Sequence, residues 1–118
     1  MSRIYLGLVA AAVALALAVA PALSATPKLV GTVGPGFTIT LTKGGKKVKA
    51  LKAGKYTIVV QDKSNIHNFH LTGPGLNKMT SVSYVGNKTW TVRLKAGTYK
   101  YVCDPHATAM KGSFKVTR

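Results

Sequence analysis

Tyr101-Val102-Cys103-Asp104-Pro105-His106-Ala107-Thr108-Ala109-Met110-Lys111-Gly112 sets a thiol, an imidazole and a thioether within eight residues. The runs on either side, Tyr99 to Cys103 and Ser113 to Thr117, alternate in the manner of strands. The three side chains therefore sit on one loop at a strand end, close enough to point at a single centre. Cys103 is the only cysteine in the chain, so it has no partner for an intrachain disulfide. Taken alone, a cysteine is most often a small buried hydrophobe, and a methionine is core filler. Taken together at this spacing, followed by Gly112-Ser113-Phe114, they read as a ligand set.

Working outward, the rest of the chain is all-β. Short β-rich runs recur between Gly, Pro and Lys-Gly turns: Phe37 to Thr42, Lys46 to Leu51, Tyr56 to Gln61, His67 to Thr72, Ser81 to Val85 and Thr89 to Leu94. This spacing predicts a β-sandwich or barrel. Trp90, Val92 and Leu94 alternate with Thr91 and Arg93, giving one face to the core and one to water. Leu51-Lys52-Ala53-Gly54-Lys55-Tyr56 returns as Leu94-Lys95-Ala96-Gly97-Thr98-Tyr99, and each copy predicts a tyrosine corner of the kind that closes Greek-key sandwiches. Gly34-Pro35-Gly36 and Gly73-Pro74-Gly75 are turn signals, and neither leads into a helix that would hold phosphate.

A thiolate, an imidazole and a weak thioether are the donors that suit copper cycling between its two oxidation states. A second imidazole is needed, and Ile66-His67-Asn68-Phe69-His70-Leu71 offers two. If this run is a strand, His67 shares a face with Phe69 and Leu71, whereas His70 shares the other with Ile66 and Asn68. The more apolar face is the better inner face, which favours His67.

On these residues the chain resembles the cupredoxins, the plastocyanin/azurin-like type 1 blue copper proteins. The resemblance runs from about Lys28 to Arg118 and is most specific at His67, Cys103, His106 and Met110. It implies a cupredoxin-like Greek-key sandwich binding one copper, with Met110 as a weak axial ligand and His106 nearest the surface as the exit for electrons. It also implies that Asn68, which follows the ligand His, ties the two ligand-bearing segments together by hydrogen bonding. Here Asp104 stands where a Ser or Thr is usual, and Val102 replaces the Tyr that plant plastocyanins carry before the Cys. Tyr99 and Tyr101 share the face of Cys103, where they are expected to wall the site from water. The function expected is that of an electron carrier; the alternative is a periplasmic or extracellular protein that binds or delivers copper. An enzyme is not expected, because two acidic residues and no base near a nucleophile leave hydrolysis without parts.

Met1 to Ala25 reads as a secretory signal peptide: Arg3, an apolar run from Ile4 to Val19, then small residues with cleavage near residues 22–25. An uncleaved anchor is the rival reading of the same run. Residues 26–118 are then one small cupredoxin-like copper-binding domain, exported to the periplasm or beyond. Seventeen Lys and Arg against two acidic residues give a formal charge of +15, which bears on partners and not on fold. A redox partner with an acidic surface is expected, and the charge also suits peripheral association with an anionic membrane or wall. Nucleic acid is not expected, since no basic helix or RNP-like motif occurs. Nothing calls for a second copy, so a monomer is expected.

Overall fold

The computed structural model describes residues 25–118, so the leader read in residues 1–25 lies, but for Ala25, outside the described residues. Ten strands follow in order: β1 (Lys28–Val33), β2 (Ile39–Lys43), β3 (Lys46–Lys47), β4 (Ala50–Lys52), β5 (Gly54–Asp62), β6 (His70–Gly73), β7 (Leu76–Met79), β8 (Gly86–Leu94), β9 (Gly97–Val102) and β10 (Lys111–Thr117). They form two five-stranded sheets, ordered β3-β2-β1-β5-β8 and β4-β10-β9-β6-β7. Each sheet is mixed: β1 runs parallel to β5 and β4 parallel to β10, while the other pairs are antiparallel. The expected sandwich is therefore present.

Period-2 alternation builds the space between the sheets. Tyr56, Ile58 and Val60 from β5, Trp90, Val92 and Leu94 from β8, and Tyr99 and Tyr101 from β9 all point inward and are buried. Phe69 lies flat on Tyr101 with centroids 5.8 Å apart, and Tyr99 lies on Phe114 at 5.4 Å. The two echoed segments are tyrosine corners, as read. Tyr56 donates its hydroxyl proton to the Lys52 carbonyl at 2.7 Å. The Tyr99 hydroxyl accepts from Lys95 N–H at 3.0 Å and donates to the Pro74 carbonyl at 2.9 Å. Tyr99 thus faces the core, but its polar end is engaged at the corner.

Four elements differ from the sequence reading. Strand β1 was not anticipated, because Gly31 interrupts its apolar alternation. That glycine is required where it lies, since a Cβ there would stand 2.7 Å from the Phe69 ring. The run Lys46 to Leu51 is two strands: the chain leaves the first sheet after Lys47 and joins the second at Ala50. Val48 N–H bonds back to Leu41 and the Lys49 carbonyl accepts from Lys115, so backbone bonds tie the crossing to both sheets. Ser81 to Val85 is a turn, not a strand, with Val82 and Val85 exposed. Its place beside β6 is taken by β7, and Thr80 then leads the chain out of the sheet by pairing with Phe69 through both backbone and hydroxyl. Strand β6 begins only at His70, leaving His67 to Phe69 as irregular backbone.

Candidate metal centre

Three loops meet at one end of the sandwich. The first, Gly34 to Thr38, joins β1 to β2; the second, Lys63 to Phe69, leads into β6; the third, Cys103 to Met110, joins β9 to β10. Cys103 is extended (φ −94°, ψ 114°), and a 3-10 turn over Asp104–His106 follows, with Pro105 in its first positions. Proline suits that place, because its φ is already set and its missing N–H would have no partner there. The third loop then closes on itself. His106 N–H donates to the Cys103 carbonyl, Met110 N–H to the His106 carbonyl at 2.8 Å, and Cys103 N–H to the Met110 carbonyl at 3.0 Å. The backbones of the thiol and thioether residues are thus bonded to each other.

This brings His67, Cys103 and His106 together, with one donor atom of each within 4.8 Å of the others. His67 Nδ1 and His106 Nδ1 are 3.1 Å apart, and each lies 3.6 Å from Cys103 Sγ. Metal–nitrogen bonds of about 2.0 Å and metal–sulfur bonds of about 2.3 Å, opened to trigonal or tetrahedral angles, require N···N near 3.4 Å and N···S near 3.7 Å. The donors fit a single ion of that size. Cys103, His67 and Met110 are buried, and His106 is half-buried. Phe37, 64% exposed, stands edge-on to both imidazoles, 5.1 Å from His67 and 5.0 Å from His106. Gly34 (φ +73°) passes close behind, where a Cβ would meet Ser64 at 2.9 Å and the His67 ring at 3.3 Å. An L side chain there would be strained and would also press on that imidazole.

His67 was favoured over His70 on strand alternation, and the structure puts it among the donors although its backbone is not in a strand. Asn68, read for the opposite face, is buried as well. Its side chain is the clamp between loops: Oδ1 accepts from Asp104 N–H at 2.7 Å, and Nδ2 donates to Asp104 Oδ2 at 2.7 Å and to the Thr80 carbonyl at 3.3 Å. Asp104 thereby does what the usual Ser or Thr would do, and more. Its carboxylate also receives His70 Nδ1–H at 2.8 Å, while His70 Nε2–H donates to Asn77 Oδ1 at 2.7 Å. Burial disfavours the charge on His70, but the bonds to Asp104 and Asn77 outweigh it and hold its pKa above the usual histidine value. Burial likewise raises Asp104, and the bonds from Asn68 and His70 overcome it, leaving that carboxyl below its usual value.

A second acid braces the site from the other sheet. Asp62, at the end of β5, accepts from Ser64 N–H and from the Thr80 hydroxyl at 2.9 Å, and Thr80 Oγ1 accepts Phe69 N–H. Burial pushes the Asp62 carboxyl above its usual pKa, against those bonds and the nearby His67. The sequence reading gave neither Asp62 nor Thr80 a role. Buried acids are rare without partners, and a chain with only two acidic residues offered that signal.

Asn68→Ala is expected to leave Asp104 N–H and the Thr80 carbonyl without their side-chain partner. The cost is about 2–4 kcal/mol, from one or two unsatisfied groups and a small cavity. Asp104→Ser should be milder, because a hydroxyl can still face Asn68. Denaturant melts of both variants check the order.

A two-sheet β-sandwich that gathers two imidazoles and a thiol at one end, beside a loop closed by methionine, defines a mononuclear type 1 copper protein. The family model for copper-binding proteins of the plastocyanin/azurin family matches residues 37–117, and the chain belongs to that family. Among solved structures it is similar to the copper protein rusticyanin. One such structure is 24% identical with a TM-score of 0.59, covering 78% of each chain, a likeness of fold. Reduced rusticyanin is 27% identical (TM-score 0.56), covering 78% of this chain and 79% of that one. Rusticyanin from Thiobacillus ferrooxidans is 28% identical (TM-score 0.50), covering 78% and 77%. No curated protein matches this chain.

Proposed function

We propose that the protein is an exported electron carrier whose single copper is held by His67 Nδ1, Cys103 Sγ and His106 Nδ1, with Met110 as a weak axial ligand. The observation that carries this reading is the mutual approach of the three donor atoms, at separations that one ion would satisfy. The copper supplies the one-electron couple. The residues would hold the donors still and keep water out, and the Cys103 thiol would give up its proton to solvent as copper binds. Ligands tied by backbone bonds and an Asn–Asp clamp need not move when the charge changes, which suits fast electron exchange. His106, half-buried beneath the exposed Phe37, is the route by which an electron leaves. Delivery of copper fits the site less well, since release would have to open a loop bonded at both ends. Copper exchange over hours favours the carrier; exchange in seconds favours delivery.

The residues 26–118 form the domain, with residues 1–25 read as the export signal. No catalytic role is assigned. The partner is a redox protein with an acidic surface, met by a monomer at an apolar centre made by the exposed Phe37 beside His106. Such encounters are small and transient, so charge mainly sets the association rate. Reduction by an acidic redox protein should slow steeply with salt. Lys111→Glu should lower the rate about threefold to tenfold at low ionic strength, without moving the visible spectrum. Stopped-flow rates flat across a salt series, for wild type and variant alike, would leave the lysines a role in solubility or in holding the protein to an anionic envelope.

A further inference from the structure

The outer face of the second sheet carries a groove of about 440 Å³, lined by Lys47, Lys100, Val102, Lys111, Gly112 and Ser113. Its walls come from three strands. Lys111 pairs with Val102 and Ser113 with Lys100 across β9 and β10, so Lys100 and Lys111 are diagonal neighbours on one face. Lys47 reaches the same groove from the end of β3, where the chain crosses between sheets. A smaller adjoining hollow of about 140 Å³ shares Lys47 and Lys111.

Like charges at diagonal positions repel, and a third ammonium makes the cost larger. The usual remedy is a carboxylate, and here there is none. The chain has two acidic side chains: Asp62 is buried with Ser64 and Thr80, and Asp104 is taken by Asn68 and His70. Among the described residues the only ion pair is that between His70 and Asp104. The three lysines of the groove therefore have no ion-pair partner among the described residues.

We propose that this groove is an anion site that takes a phosphoryl group, as free inorganic or condensed phosphate or as a phosphate head group. Three ammonium groups and the Ser113 hydroxyl offer donors from several directions, which suits a tetrahedral dianion better than a planar, singly charged carboxylate. The space exceeds what a halide fills. The groove also touches the metal loop at both ends, because Val102 is bonded to Cys103 and Lys111 to Met110. On the copper reading above, an anion there favours the oxidised centre, which carries one more positive charge. By linkage, tenfold tighter binding to the oxidised form lowers the midpoint potential by about 59 mV.

Calorimetry with pyrophosphate at fixed ionic strength tests the site on the protein as purified, and needs no colour. One pyrophosphate per chain is expected, with affinity falling at least tenfold in Lys47→Gln and in Lys100→Gln, and unchanged in Lys28→Gln on β1. Heat that does not saturate at one per chain, or an equal loss in Lys28→Gln, overturns the site in favour of diffuse charge. Phosphatidylcholine vesicles containing phosphatidylglycerol distinguish the sources. Retention that is lost in Lys47→Gln assigns the site to head groups; pyrophosphate binding without retention assigns it to the free anion. Retention indifferent to Lys47 and Lys100 overturns the head-group assignment. A midpoint potential unmoved by saturating pyrophosphate overturns the coupling alone, and absence of the blue band would instead sink the copper reading.

Discussion

Cys103→Ser is expected to abolish the intense visible absorption of the oxidised protein. The band arises from charge transfer between a thiolate and Cu(II), and a hydroxyl at the same place offers neither the soft donor nor the transition. Copper affinity should fall by well over about 100-fold, since loss of an outer-sphere partner alone costs 10–100-fold at metal sites. The variant should still fold. Serine is smaller than cysteine, and its hydroxyl would lie beside two imidazole nitrogens that can receive or supply a hydrogen bond. Stability supplies a second readout. Copper at 100 times its dissociation constant adds about 2.7 kcal/mol to the folded state, or on the order of 10–20 °C for a domain of this size. Wild type should show that rise in a thermal melt and Cys103→Ser should not. A wild-type protein that takes up copper yet stays colourless, with its thiol free to react, would defeat the type 1 assignment.

The parts of this architecture that were legible in the sequence are those fixed by short-range rules. Period-2 alternation gave β5, β8, β9 and β10, because each has one buried face and one wet face. The two corners were legible because a Gly and a Tyr recur at the same offset. The metal loop was legible because donors of unusual chemistry lie close in sequence. What escaped depends on contacts between distant segments. Gly31 in β1 looks like a strand breaker until Phe69 is laid over it. Ser81 to Val85 has β-branched residues enough for a strand, but Thr80 is already committed to Phe69 and turns the chain away. The choice of His67 rested on a strand that does not extend that far, and the structure brings His67 rather than His70 beside Cys103 and His106. His67 is inward because the Asn68 clamp and the Gly34 passage hold its loop, not because of parity. The links from His70 to Asp104 and from Asp62 to Thr80 join residues 34 and 18 positions apart, and no local pattern announces them.

His67→Ala and His70→Ala should part company completely. His67→Ala removes one of three strong donors and leaves a hole among buried groups. It is expected to abolish the blue band and to cost about 2–3 kcal/mol in the copper-free protein through the cavity. His70→Ala should keep the band, because His70 donates to Asp104 and Asn77 and gives nothing to the metal centre. Its effect is on stability, and it depends on pH. The folded protein holds the His70 pKa above the unfolded value, so its contribution is full below about 6.5, the unfolded value, and disappears as pH rises through the folded value. Asp104 has the opposite sign: its lowered pKa contributes above the unfolded carboxyl value of about 3.9 and is lost as pH falls through the folded value. Both contributions coexist between those limits. The gap in stability between wild type and His70→Ala should therefore be widest near pH 5–6, at no more than about 1 kcal/mol because solvent screens the Asp104 side chain, which is 45% exposed. It should narrow by pH 9. Urea melts across that range decide the matter. A gap that is flat with pH would mean that His70 acts by packing alone, and loss of the blue band in His70→Ala would make it a ligand in place of His67.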